Sequence, residues 1–220
     1  MKLYSIFPSI DGEVNYYGQG SLTTFVRFAG CNLRCGYCDT KYANSEDKGK
    51  EKTVNEIINL IEKIGIKKVT ITGGEPLIQN RKEMQDLIEK LQDKEYKITI
   101  ETNGSIDNYL MPYIPYECNL VVDYKLPSSG MEKSMKKNLF YNLTHCDFVK
   151  FVIGTVEDFN AANRKMNEFK ENGCLAKFAF APNHDTLIPK ELIKWMMECK
   201  MQDVILNIQL HKYLDLKEDK

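Results

Sequence analysis

At 220 residues with 43% apolar content, the chain is long enough to bury one sizeable core, and a single domain over 1–220 is expected. Its 30 Lys+Arg balance 31 Asp+Glu, which excludes the broad basic footprint of a nucleic-acid or membrane-surface binder and points to a small-molecule partner. MKLYSIFPSI has no basic stretch leading into an apolar run, and no window reaches the length of a membrane span, so a soluble, cytoplasmic protein is expected.

Taken in chain order, the first extended segment is FVRF, residues 25–28, leading into a cysteine-rich loop. TVNEIINLIEKIG places Val54, Ile57, Ile58, Ile61 and Ile64 at helical spacing and stops at Gly65. KKVTIT (67–72) reads as a β-branched strand ending at Gly73-Gly74, NRKEMQDLIEKLQDK as an amphipathic helix, and YKITIET as a strand ending at Asn103-Gly104. Further strands are expected at 119–125, 147–154, 175–182 and 203–210, with helices over 131–143, 157–172 and 187–199. The connection from Gly104 to Glu117 is too short for a full helix with its turns, and 214–220 reads as a solvated tail. This alternation predicts an α/β fold with a parallel sheet or partial barrel, its site at the strand C-terminal ends.

GCNLRCGYCDT sets Cys31, Cys35 and Cys38 within eight positions. Seven cysteines, an odd number with three clustered, fit a reducing compartment where thiols bind metal, and Cys118, Cys146, Cys174 and Cys199 read as buried small hydrophobes. Three soft thiolates suit a soft metal or an iron-sulfur cluster. A structural zinc needs a fourth ligand, for which only the distant His145, His184 or His211 are histidine candidates. Both readings stand at this level.

CNLRCGYC, with Tyr37 before its third cysteine and Gly73-Gly74-Glu75-Pro76 downstream, resembles the signature of the radical S-adenosylmethionine (SAM) enzymes. The resemblance implies an abridged TIM-like barrel and a 4Fe-4S cluster whose open iron holds the SAM methionine group. The reduced cluster of that family cleaves SAM to a 5′-deoxyadenosyl radical that abstracts substrate hydrogen. A narrower resemblance, to the 7-carboxy-7-deazaguanine synthase family of queuosine and 7-deazapurine biosynthesis, rests on the DGE segment, FVRFAGCNLRCGYCDT, TGGEP, ETNG, DYKLPSSG and QLHKYL. It implies a homodimeric lyase that converts 6-carboxy-5,6,7,8-tetrahydropterin to 7-carboxy-7-deazaguanine with loss of ammonia, assisted by Mg2+. A flavodoxin or ferredoxin would supply the electron.

Position by position, the resemblance makes Cys31, Cys35 and Cys38 the cluster ligands and Thr40 a magnesium ligand, a hard oxygen suited to that ion. SAM would rest on Tyr37, Cys38, Asp39, Gly74, Asp123, Tyr124, Lys125, Ala181, Pro182, Asn183 and His184. Substrate would meet Ile10, Asp11, Gly12, Glu13, Arg27, Thr72, Glu101, Asn103 and His211, with Arg27 and His211 as candidates for its carboxylate. Asp11 and Ala181 stand where that family commonly has Gln. Two other classes remain open: a zinc-stabilised binding protein, and an activase that makes a glycyl radical on a partner protein.

Overall fold

The structure, a computed structural model, describes residues 1–106, 118–214 and 216. Among these, nine strands form one sheet: β1 (Lys2–Ile10), β2 (Leu22–Phe28), β3 (Lys50–Glu51), β4 (Lys68–Gly73), β5 (Lys97–Thr102), β6 (Cys118–Tyr124), β7 (Phe148–Ile153), β8 (Lys177–Pro182) and β9 (Val204–Leu206). Their order is β3-β1-β2-β4-β5-β6-β7-β8-β9. β1 runs antiparallel to β2 and β3, and every pair from β2 to β9 is parallel. The two end strands do not pair with each other, so the barrel is open, as the alternation of elements predicted.

The crossovers carry α1 (Val54–Ile64), α2 (Arg81–Asp93), α3 (Lys137–Tyr141), α4 (Val156–Glu171) and α5 (Pro189–Glu198), and α6 (Leu210–Tyr213) follows β9. α1 begins with a reciprocal capping box between Thr53 and Glu56 and ends on Gly65, whose φ of 79° suits glycine. None of these helices is long and apolar enough to cross a membrane.

Strand alternation divides the sheet into a core face and a site face. Val69, Ile71, Ile98, Ile100, Val122, Val149, Phe151 and Phe180 point outward and are buried with Ile57, Ile61, Leu87, Leu91 and Phe169 of the helices. The intervening positions of these strands and of β2 point inward, and several of them are polar: Arg27, Thr72, Glu101 and Asp123 near strand ends and Lys150 in mid-β7. Lower in the barrel, Val14 packs on Val121, Phe148 and Ala179 and closes its floor. The segment carrying Val14 is tied down by Lys68, which reaches Asp11 at 2.5 Å, Ser21 at 2.6 Å and Asn15 at 3.0 Å.

Several expectations need correction. β1 is a full strand that the sequence reading omitted. The strand expected over 203–210 ends at Leu206: Asn207 turns its side chain inward to accept from the Val14 amide at 3.0 Å, and Leu210 starts a helical turn. The helix expected over 131–143 shrinks to α3, because Glu132–Ser134 is a separate 3-10 turn followed by extended Met135. Cys118 and Cys174 are buried as expected, whereas Cys146 is half-buried and Cys199 exposed. The Gly104–Glu117 connection lies mostly outside the described residues, as does the tail beyond Leu214 apart from Leu216.

Candidate active site

A cavity opens at the C-terminal ends of the parallel strands. Its first wall is the cysteine loop after β2. That loop is fixed by its backbone: Gly30 N–H donates to Ala43 O at 2.8 Å and Cys31 N–H to Asn44 O at 3.1 Å. The Gly73-Gly74-Glu75-Pro76 turn docks beneath it, with Gly74 N–H on Phe28 O at 3.0 Å and Glu75 N–H on Gly30 O at 2.8 Å. A Cβ at Gly74 would overlap the Gly30 carbonyl, so only glycine permits this approach. On the other side, Gly36 N–H donates to Ser129 O at 3.1 Å, and the turn holding Ser129 is pinned by buried Asp158, which accepts from Ser128 N–H and Gly154 N–H at 3.0 Å each.

Cys31, Cys35 and Cys38 all line the cavity. Burial pushes the Cys31 and Cys35 thiols up. Donors point at two of the sulfurs: Leu33 N–H at 3.4 Å and Asn103 Nδ2 at 3.7 Å on Cys31, Asn44 Nδ2 at 3.8 Å on Cys38. Soft sulfurs with N–H donors around them suit an iron-sulfur cluster. Among the described residues, no three His, Cys, Asp or Glu side chains converge where one metal ion could sit. Three thiols around a larger group fit this spacing better than a closed tetrahedral zinc site.

Beside the cysteines, the Tyr37 hydroxyl and Asp123 Oδ1 are buried without a hydrogen-bond partner among the described residues. Asp123 Oδ2 pairs with Lys125 at 2.9 Å. Such orphaned groups fit a ligand with its own amine, carboxylate and hydroxyls, as SAM has. Gly74, Asp39, Ala181, Pro182, Asn183 and His184 border the same space. Tyr124 does not: its ring is buried among Phe140, Phe151 and Phe169, so only its backbone can approach a cofactor.

Away from the cysteines the lining gathers Ile10, Gly12, Glu13, Arg27, Thr72, Glu101 and His211, whereas Asn103, expected on substrate, lies against Cys31 and Asn32. The Arg27 guanidinium lies 5.9 Å from the Phe7 and Tyr42 ring centres, with Nη1 3.5 Å from Thr40 Oγ1. Thr40 does not cap the 3-10 turn after it; its hydroxyl donates to Asp39 Oδ1 at 2.9 Å. Despite the cost of partial burial, Lys212 at 2.9 Å holds Asp39 down at about 2. His211 packs directly over Gly12, where a Cβ would overlap its ring. Asp11, expected on substrate, turns away from the cavity: it accepts from Thr70 at 2.7 Å and pairs with Lys68. A charged carboxylate in a Gln position finds its partner in the floor of the barrel.

Three residues escaped the sequence reading. Lys150 lies at the centre of the cavity wall, Gln209 donates to Glu13 Oε1 at 2.7 Å, and Lys212 reaches Asp39. Lys150 had a readable signal, since a lysine inside the apolar strand FVKFVI raises the same question as Arg27 inside FVRF.

Burial, then the nearby Glu13 charge, push Glu101 up to about 7, although Thr72 donates to it at 2.9 Å. Its folded-state value therefore exceeds the ordinary 4.5. Below that value both folded and unfolded chains hold the proton; from there to about pH 7 the unfolded chain ionises first, and stability falls as pH rises. Glu101→Gln should thus be more stable than the parent by about 1–3 kcal/mol at pH 8 and by little at pH 4, as measured by urea unfolding. A pH-independent difference would show that Glu101 carries no such penalty.

The Radical SAM superfamily model matches residues 25–122, which run from within β2 through the cysteine loop to within β6. A 7-carboxy-7-deazaguanine synthase of Clostridium acetobutylicum is 39% identical over 217 residues, covering 97% of this chain and 95% of that protein. One from Koribacter versatilis is 32% identical over 100% of this chain and 99% of its own length. The crystal structure of QueE from Escherichia coli superposes with a TM-score of 0.73 over 94% of this chain and 92% of that one, at 21% identity, and shares the fold. Motif order, cavity and full-length similarity agree, and the chain belongs to the 7-carboxy-7-deazaguanine synthase family of radical SAM proteins.

Proposed function

We propose that the protein converts 6-carboxy-5,6,7,8-tetrahydropterin to 7-carboxy-7-deazaguanine with loss of ammonia, using a 4Fe-4S cluster, SAM and Mg2+. The observation that carries this reading is that one cavity joins the three-cysteine wall to polar and ionisable side chains that include Arg27, Glu13 and His211. Cys31, Cys35 and Cys38 would hold the cluster, and Tyr37, Asp39, Gly74, Asp123, Lys125 and the 181–184 turn would hold SAM. Cluster and SAM together supply the hydrogen abstraction that starts the ring contraction.

The chain's own residues bind, orient and enclose. Arg27 offers a planar fork of donors for the pterin carboxylate, and the aromatic rings beside it restrict its direction. Glu13 offers acceptors to ring N–H groups. The Thr40 hydroxyl, beside Asp39, is a hard oxygen available to Mg2+ next to that carboxylate. The barrel wall around the cavity would limit water at the reacting carbon and hold one substrate hydrogen toward the cofactor. Asn32, Arg34 and Gly36 expose the outer side of the cysteine loop, where a flavodoxin or ferredoxin would deliver its electron. A single 1–220 domain, a homodimer and a cytoplasmic location complete the proposal.

The test is anaerobic reconstitution with iron and sulfide, then reduction and incubation with SAM, Mg2+ and the carboxypterin, with products read by mass spectrometry. Formation of 7-carboxy-7-deazaguanine supports the assignment. SAM cleavage without that product would move the substrate elsewhere. Thr40→Ala should lower turnover about tenfold or more and flatten its rise with added Mg2+; an unchanged Mg2+ response would remove Thr40 from the metal site.

A further inference from the structure

We infer that Lys150 is a positioning residue that sets specificity: its ammonium fixes the Glu13 carboxylate so that it meets ligands presenting paired N–H donors, such as the amino-pyrimidinone edge of a pterin. The ligand's identity rests on the function proposed above; the pairing itself does not.

Lys150 lies in mid-β7 between Val149 and Phe151, both wholly buried on the core face, and alternation turns it into the cavity. Its ammonium bonds Glu13 Oε2 and lies 3.4 Å from Asp123 Oδ2, so one cation joins the substrate wall to the cofactor wall. Glu13 is held from the rear at both oxygens. Gln209 Nε2 donates to Oε1 at 2.7 Å, and Asn207 Nδ2 approaches Oε2 at 3.4 Å. Oε1 keeps one lone pair for a ligand, and at Oε2 only the long Asn207 contact competes with one, so a carboxylate anchored by Lys150 and Gln209 is placed to read two adjacent N–H groups.

The surroundings show why a cation is required. Glu13 faces Glu101 from β5, His211 from the C-terminal segment and Lys150 from β7, while Asp11 of its own segment adds its charge from a distance but is turned toward Lys68. Burial works against the Glu13 charge, and Lys150, joined by Gln209 and His211, more than offsets it, so Glu13 lies below the ordinary glutamate range. Without Lys150, the buried Glu13 carboxylate would face Glu101 without its ammonium partner, and such a group takes up a proton or moves. Either change replaces an acceptor by a donor or misaligns it.

The test is a double-mutant cycle on the reconstituted holoenzyme with SAM, reading equilibrium binding of 6-carboxypterin. Lys150→Met should weaken binding at least tenfold and Lys150→Arg much less, whereas in a Glu13→Gln background Lys150→Met should change it less than threefold. Equal losses in both backgrounds would overturn the inference. A second readout needs no ligand: the Glu13 carboxyl, followed by carbon NMR, should titrate below the ordinary glutamate range in the parent and above it in Lys150→Met. An unmoved titration would also overturn it. If the titration moves but the parent does not bind the pterin, the pairing stands and the proposed substrate fails.

Discussion

Cys31→Ala is expected to abolish the visible absorption of the reconstituted protein and reduce SAM cleavage to background, a loss of at least about 1000-fold given the accelerations enzymes provide. The change removes one of three soft ligands, and the cavity offers no fourth cysteine to replace it. The fold should survive, because the loop is held by main-chain bonds from Gly30 and Cys31 to Ala43 and Asn44 rather than by the thiol. A native circular-dichroism spectrum with iron content near zero would separate ligand loss from misfolding. Full iron incorporation with normal cleavage would remove Cys31 from the cluster.

Glu75→Ala should have the largest effect on stability, a loss of about 3–5 kcal/mol in chemical denaturation. Glu75 is wholly buried and accepts from Asn103 N–H at 2.6 Å, Thr102 Oγ1 at 2.8 Å and Leu77 N–H at 2.9 Å. Removing it strands three donors, each costing about 1–3 kcal/mol if left unpaired. The damage should reach the site, because Asn103 also donates to Cys31 and Asn32, and lowered cluster retention should accompany lowered stability. Glu75→Gln keeps one carbonyl oxygen but sets an amide N–H against one of those donors, so an intermediate loss is expected. A variant as stable as the parent would show that these donors find water instead.

The central strands were legible because their outward residues are β-branched or aromatic and end at glycine turns, as in KVTITG before Gly74. β1 was missed because KLYSIFPSI, with Pro8 inside it, lacks clean alternation; it stands beside the parallel strands as an antiparallel hairpin partner of β2. NIQL was misread because its apolar alternation continues past the point where Asn207 is diverted to Val14, a partner 193 positions away. The cysteine loop and glycine turn are contiguous and declare themselves. Lys150, Gln209 and Lys212 depend on which elements lie opposite one another, and the same long-range geometry sends Asp11 and Tyr124 away from the cavity.

The two-faced strands of this sheet carry a consequence for how the chain can tolerate insertions and deletions. Each central strand serves chemistry with one set of alternate residues and packing with the other. Deleting a single residue from β7 ahead of Lys150 would shift its register by one, turning the lysine toward the helices and Val149 or Phe151 into the cavity, so that reactivity and core would be lost in one step. Length variation is therefore confined to the connections, and the spacing within each strand is as much a part of the active site as the residues it presents.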